Sequence, residues 1–184
     1  MTSSNIIALI GLMGAGKSAI GQMLARALDY DFIDADKRIE EESGLIIADI
    51  FELYGEAKFR EVEQRVISEI VSKTYGGGVI LSTGGGAFCQ PETQKIMLEH
   101  TKTLWLRARP ETLLGRIKNL STRPLLSGPD PLGVLRALNE KRAVFYEKAD
   151  IIVDTDGFTK EQSLAALLQT LEDNKQMMSE SQAR

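Results

Sequence analysis

Residues 11–18 read Gly-Leu-Met-Gly-Ala-Gly-Lys-Ser and match G-x-x-x-x-G-K-[ST]. The apolar run Asn5–Ile10 precedes them and the amphipathic stretch Lys17–Leu28 follows. A strand that passes through glycines into a helix is the context a phosphate-binding loop requires, so motif and flanks agree. The glycines let the backbone curl until successive N–H groups point inward at phosphate oxygens, and the helix N-terminus adds a positive dipole end. On this pattern Gly11, Gly14, Ala15, Gly16 and Ala19 border the phosphates of a nucleotide. Lys17 reaches the β- and γ-phosphates and Ser18 ligates Mg²⁺. The plainer alternative is a glycine-rich strand-to-helix turn with a chance Lys-Ser, and it leaves the agreement of motif and context unexplained.

The rest of the chain repeats the alternation. Asp31–Asp34, Gly78–Ser82, Thr103–Arg107 and Ile151–Asp154 read as further strands, and several of the strand candidates are nearly all apolar, as expected of strands buried on both faces. Between them lie helical patterns at Gly55–Lys73, Pro91–His100, Pro110–Lys118, Pro131–Glu147 and Thr159–Asp173. In the first of these, Phe59, Val62, Val66 and Ile70 form one stripe. Strand and helix in alternation predict an α/β fold, a parallel sheet with helices on both faces and ligands beyond the carboxyl ends of its strands. With 184 residues the chain is expected to form a single domain over 1–173. Asn119–Asp130, rich in Pro and Gly, reads as a mobile loop, and Asn174–Arg184 as a polar tail without a packing stripe.

Composition closes off other classes. A formal charge of -4 argues against a nucleic-acid partner. Ile6–Ile10 is too short to span a bilayer, Met1–Asn5 has no basic residue of a secretory leader, and Cys89 is the single cysteine. These features predict a cytoplasmic protein without a membrane partner.

Several polar groups fall at the predicted strand ends. Asp34 and Asp36 are two apart, and in an extended segment their carboxylates share one side about 6.6 Å apart, an arrangement that calls for a cation between or beside them. The structural alternative has Asp36 capping a helix that begins at Lys37. Gly84, Gly85 and Gly86 follow the third strand and offer bare backbone to a ligand. Arg60 stands three residues before Glu63 on a helical pattern, Arg142 lies near the end of another, and Arg116 and Arg123 belong to a basic stretch in an acidic chain. Taken singly, each arginine also fits an ordinary solvated cation or surface ion pair.

Together these residues resemble the shikimate kinase family. The resemblance rests on the loop at Gly11–Ser18, on Asp34-Ala35-Asp36, on the run Gly55-Glu56-Ala57-Lys58-Phe59-Arg60-Glu61-Val62-Glu63, on Gly84–Gly86, on Arg123-Pro124-Leu125-Leu126 and on Arg142-Ala143-Val144-Phe145-Tyr146. It implies a three-layer P-loop kinase fold with a five-stranded parallel sheet of order 2-3-1-4-5, an acceptor-binding region about 34–63 and a mobile lid about 119–130. It also implies ATP and shikimate as substrates, Mg²⁺ as cofactor and a monomeric enzyme. Carried over by residue, Lys17, Asp36 and Arg123 are catalytic. Asp36, Arg60, Arg142 and Gly84–Gly86 meet the acceptor, with Glu63 orienting Arg60. Ser18, and Asp34 through water, serve the metal, while Arg116 stacks on adenine and Arg123 meets the phosphates from the lid. Thr155–Phe158 carries no adenine signature. Gluconate kinase, a nucleotide kinase and a non-catalytic nucleotide-binding module share the phosphate loop and are the competing expectations.

Overall fold

The computed structural model describes residues 5–120, 124–126 and 128–182. Five short runs rich in Ile, Leu and Val become strands β1 (Ile6–Ile10), β2 (Asp31–Asp34), β3 (Val79–Ser82), β4 (Lys102–Arg107) and β5 (Ile151–Asp154). All neighbours are parallel and the order is β2-β3-β1-β4-β5, as the family resemblance implied. Ala8, Leu9, Ile10, Val79, Ile80, Leu81 and Leu104 of the three inner strands are fully buried, each large aliphatic group contributing about 1.5–3 kcal/mol by leaving water. β5, at an edge, alternates buried and exposed positions instead.

The helices are α1 (Lys17–Leu28), α2 (Ala35–Ser43), α3 (Ile47–Ser72), α4 (Pro91–His100), α5 (Pro110–Arg116), α6 (Pro131–Tyr146) and α7 (Lys160–Gln182). α1 packs beside α7, and α3 beside α4. The connection leaving β1 runs out to β2, whereas the one leaving β3 crosses to β4. β1 and β3 are neighbours, so a crevice opens between their carboxyl ends, the usual ligand position in such a sheet. Pairing places Leu9 and Asp34 both level with Ser82 at that rim.

Two local outcomes differ from expectation. Asp34 and Asp36 do not share an extended segment. Asp34 is the cap of α2, its carboxylate accepting from the backbone N–H groups of Asp36 (3.1 Å) and Lys37 (3.4 Å), while Asp36 lies inside the first helical turn. Because β2 passes directly into α2, the capping carboxylate is Asp34, two positions before the expected Asp36. Also, α7 continues past Asp173 to Gln182. Lys, Gln, Met and Glu, frequent in that stretch, are good helix formers even without an apolar stripe. Among the described residues no helix is long and apolar enough to cross a membrane.

α3 is two helices merged across Gly55, whose φ of 79° and ψ of 170° are non-helical and belong to a region that side chains avoid. No atom stands within 4 Å of where a Cβ would go, so the constraint there is backbone conformation alone. Gly55→Ala is therefore expected to cost about 1–3 kcal/mol, lowering the melting temperature by roughly 3–10 °C in a thermal scan.

Candidate active site

The phosphate loop leaves β1 and is pressed against its surroundings. A Cβ on Gly14, whose φ is 81°, would stand 2.4 Å from the Leu113 carbonyl oxygen of α5. Lys17 folds back over the loop, its Nζ donating to the carbonyls of Gly11 (2.7 Å) and Leu12 (3.0 Å). The Ala15 N–H donates to the Leu12 carbonyl at 3.2 Å, and Gly16 caps α1 without a side chain. Ala19 follows in the first turn of the helix.

Ser18 Oγ donates to Asp34 Oδ2 at 2.6 Å and lies 3.3 Å from Ser82 Oγ. Two strand ends and the first turn of α1 thus bring three oxygen-bearing side chains together. Ser82 was not among the expected site residues; its only sequence signal is its place at the end of β3, directly before Thr83 and the glycines. Among the described residues no group of three or more His, Cys, Asp or Glu could hold an ion. The Ser18–Asp34 pair nevertheless fits Mg²⁺, which takes hard oxygen donors, asks for only one or two from the protein and completes its octahedron with phosphate and water.

Across the crevice the three glycines after β3 are surrounded by side chains. At Gly84 a Cβ would stand 2.7 Å from Glu63 Oε1 and 2.9 Å from Asp36 Oδ1. At Gly86 it would stand 2.4 Å from Arg60 Nη2, and at Gly85 3.4 Å from Arg142 Nη1 and 3.4 Å from the Gly11 carbonyl oxygen. The bare backbone admits the protein's own functional groups, where sequence reasoning invoked a ligand. Asp36, Arg60 and Arg142, from α2, α3 and α6, converge on one short loop beside Gly11.

Arg60 Nη1 donates to Glu63 Oε2 at 2.6 Å, and its other nitrogens reach Glu56 Oε1 at 3.2 and 3.4 Å. Glu63 is 1% exposed. Burial pushes its carboxyl above the ordinary 4.5, with the Arg60 charge pulling the other way. For Arg60, burial acts to lower the guanidinium, but Glu63 and Glu56 together outweigh it and the group stays above its ordinary value. Arg142 Nη1 donates to the Gly85 carbonyl at 3.1 Å.

Arg116, at the end of α5, is fixed by Thr155 Oγ1 (3.1 Å), by the Thr155 carbonyl and by the Phe158 carbonyl (3.1 Å). The turn after β5, silent in the sequence, is therefore what holds this guanidinium. The same turn places Asp156 against Thr112 Oγ1 (2.6 Å) and Arg109 Nε (2.6 Å). Arg123 lies outside the described residues, as does part of the expected lid; Pro124–Leu126 form a 3₁₀ turn in which Leu126 is buried.

A phosphate-loop motif, a serine–carboxylate pair beside it, and two guanidiniums and a carboxylate gathered on a glycine loop across the crevice are the parts of a P-loop small-molecule kinase. A family model described as shikimate kinase matches residues 13–172. A shikimate kinase of Mesorhizobium japonicum is 41% identical over 168 residues, covering 91% of this chain and 81% of that protein. One of Thermus thermophilus is 43% identical over 169 residues, covering 91% and 90%. Among solved structures, the shikimate kinase of Acinetobacter baumannii in complex with shikimate superposes with a TM-score of 0.87 at 33% identity, covering 94% of this chain and 96% of that one. The chain belongs to the shikimate kinase family.

Removing Arg60 leaves the buried Glu63 charge without its nearest partner. Arg60→Met is expected to cost about 3 kcal/mol. A carboxyl raised in the folded state loses stability as pH rises through its folded value, and losing Arg60 raises it further. Denaturant titrations should thus show a smaller loss at pH 5 than at pH 8.

Proposed function

We propose that the chain transfers the γ-phosphoryl group of ATP to the 3-hydroxyl of shikimate, giving shikimate 3-phosphate and ADP, a step toward chorismate and the aromatic amino acids. The observation that carries this is the convergence of Arg60, Arg142 and Asp36 on Gly84–Gly86 at the edge of the phosphate loop. Two guanidiniums and one carboxylate suit an acceptor with a carboxylate at one end and hydroxyls at the other. The setting we propose is a monomer in the cytoplasm.

Phosphoryl transfer asks for alignment and charge neutralisation more than for covalent chemistry. Arg60 and Arg142 hold the acceptor carboxylate, which turns the hydroxyl toward the nucleotide. Asp36 accepts a hydrogen bond from that hydroxyl and receives its proton as the new O–P bond forms and the bond to the ADP oxygen breaks. Lys17 leaves its own carbonyls for the β- and γ-phosphates. Ser18 and, through water, Asp34 would hold Mg²⁺, which would supply positive charge against the phosphates. Arg116 supplies a planar face for adenine. The family resemblance gives Arg123, outside the described residues, the role of adding positive charge at the phosphates, and gives the segment about 119–130 the role of a lid that would exclude water otherwise able to hydrolyse ATP.

Lys17→Ala should lower turnover by orders of magnitude with the melting temperature little changed, because its ammonium acts on phosphate charge. The acceptor assignment is tested by Arg142→Lys, since a point charge cannot reproduce the two-pronged grip of a guanidinium. The loss in kcat/KM for shikimate is expected to be about 30-fold or more, with nucleotide affinity unchanged. An analogue in which the carboxylate is reduced to an alcohol should be a poor substrate of the parent enzyme and should lose little more on Arg142→Lys. Equal losses for both acceptors would remove the carboxylate assignment.

A further inference from the structure

We infer that Tyr146 is a positioning residue of the acceptor site, whose hydroxyl holds the Gly85 peptide and thereby sets the direction of the Arg142 guanidinium. This rests on the role of Arg142 proposed above.

Arg142 and Tyr146 are four residues apart on α6 and so lie on one face of the helix. Both donate to the same acceptor, the Gly85 carbonyl: Arg142 through Nη1 at 3.1 Å and Tyr146 through its phenolic hydroxyl. Tyr146 is 1% exposed, and a buried phenol needs a partner for its O–H. Here the partner is a functional loop, when a core carbonyl would have sufficed. Burial also pushes the phenol upward, so it remains a donor throughout the neutral range.

The ring of Tyr146 is itself fixed. It packs tilted against Trp105, with centroids 5.5 Å apart. Trp105 Cδ1 stands 3.3 Å from where a Cβ on Gly11 would go. One rigid aromatic pair therefore spans from the base of the phosphate loop to the middle glycine of the acceptor loop. With the hydroxyl present, two donors share the lone pairs of the Gly85 carbonyl and Arg142 reaches that carbonyl through Nη1 alone, so the whole guanidinium fork is not spent on it. Without it, the Gly85 peptide is free to tilt and the Arg142 fork turns with it.

The test is calorimetric binding of shikimate, of its reduced-carboxylate alcohol and of MgADP to the parent chain, Tyr146→Phe, Arg142→Lys and the double variant. Phenylalanine keeps every ring contact with Trp105 and removes only the donor. Tyr146→Phe is expected to weaken shikimate about five-fold, the worth of one hydrogen bond, while MgADP and the alcohol change less than about two-fold. The double variant should lose less than the product of the single losses, because both act through one guanidinium. If Arg142→Lys weakens shikimate and Tyr146→Phe does not, the hydroxyl is core packing and the inference is wrong. If Arg142→Lys itself binds shikimate normally, the carboxylate role of Arg142 fails first and the inference goes with it. A Tyr146→Phe chain that loses shikimate and MgADP alike, or that does not fold, would assign the hydroxyl to the fold and overturn the inference too.

Discussion

Glu63 is almost completely buried, and a charge in that position is tolerated only where something cationic meets it. Arg60 does so at 2.6 Å, one turn earlier on the same helix. The consequences spread outward. The pair fixes Arg60 against Gly86, and Glu63 itself stands against Gly84 beside Asp36. Any side chain on either glycine would push these groups away. The region proposed to receive the acceptor is thus built around a carboxylate that, on that reading, never needs to touch a reacting atom, held where a three-glycine gap in side chains lets it approach the end of β3.

The sheet order supplies the other half. Because the connections after β1 and β3 diverge, the phosphate loop and the glycine loop face one another across neighbouring strands. Gly11 and Gly85 come close enough that a Cβ on Gly85 would lie 3.4 Å from the Gly11 carbonyl. Backbone geometry sets the two loops side by side, and on the proposed reading the charged side chains only have to orient a nucleotide and an acceptor that it makes adjacent. Ser18, Asp34 and Ser82 sit at the same rim because Asp34 and Ser82 are in register and Ser18 opens the helix after β1.

Much of this was legible in the sequence. All five strands and the boundaries of α1 and α4 follow from apolar runs, glycines and a leading proline. The sheet order came only with the family resemblance, since alternation alone does not say which strand lies in the middle. Other features were hidden for physical reasons. α2 buries only Ala35 and Ile39 and is otherwise polar, so it offers almost no stripe to find. The first part of α3 is separated from its continuation by Gly55, which reads as a helix start. Asp34 ends β2 as its strand pattern suggests, and its second role as the cap of α2 did not show. The turn at Thr155–Phe158 holds Arg116 mostly through backbone carbonyls, which leave no mark on residue identity. Tyr146 was visible only as part of a family motif, and its contact with Gly85 crosses 61 positions of sequence.

The central claim is that this crevice selects a hydroxylated carboxylate acceptor and passes it the γ-phosphoryl of ATP. A coupled ADP-release assay at saturating MgATP, run with shikimate, gluconate and nucleoside monophosphates in parallel, tests it most directly. Rapid ADP release with shikimate, matched mole for mole by phosphorylated shikimate, is expected, with near-background rates for the others. Turnover of gluconate or a nucleotide at the shikimate rate, or ADP release indifferent to the acceptor, would contradict it.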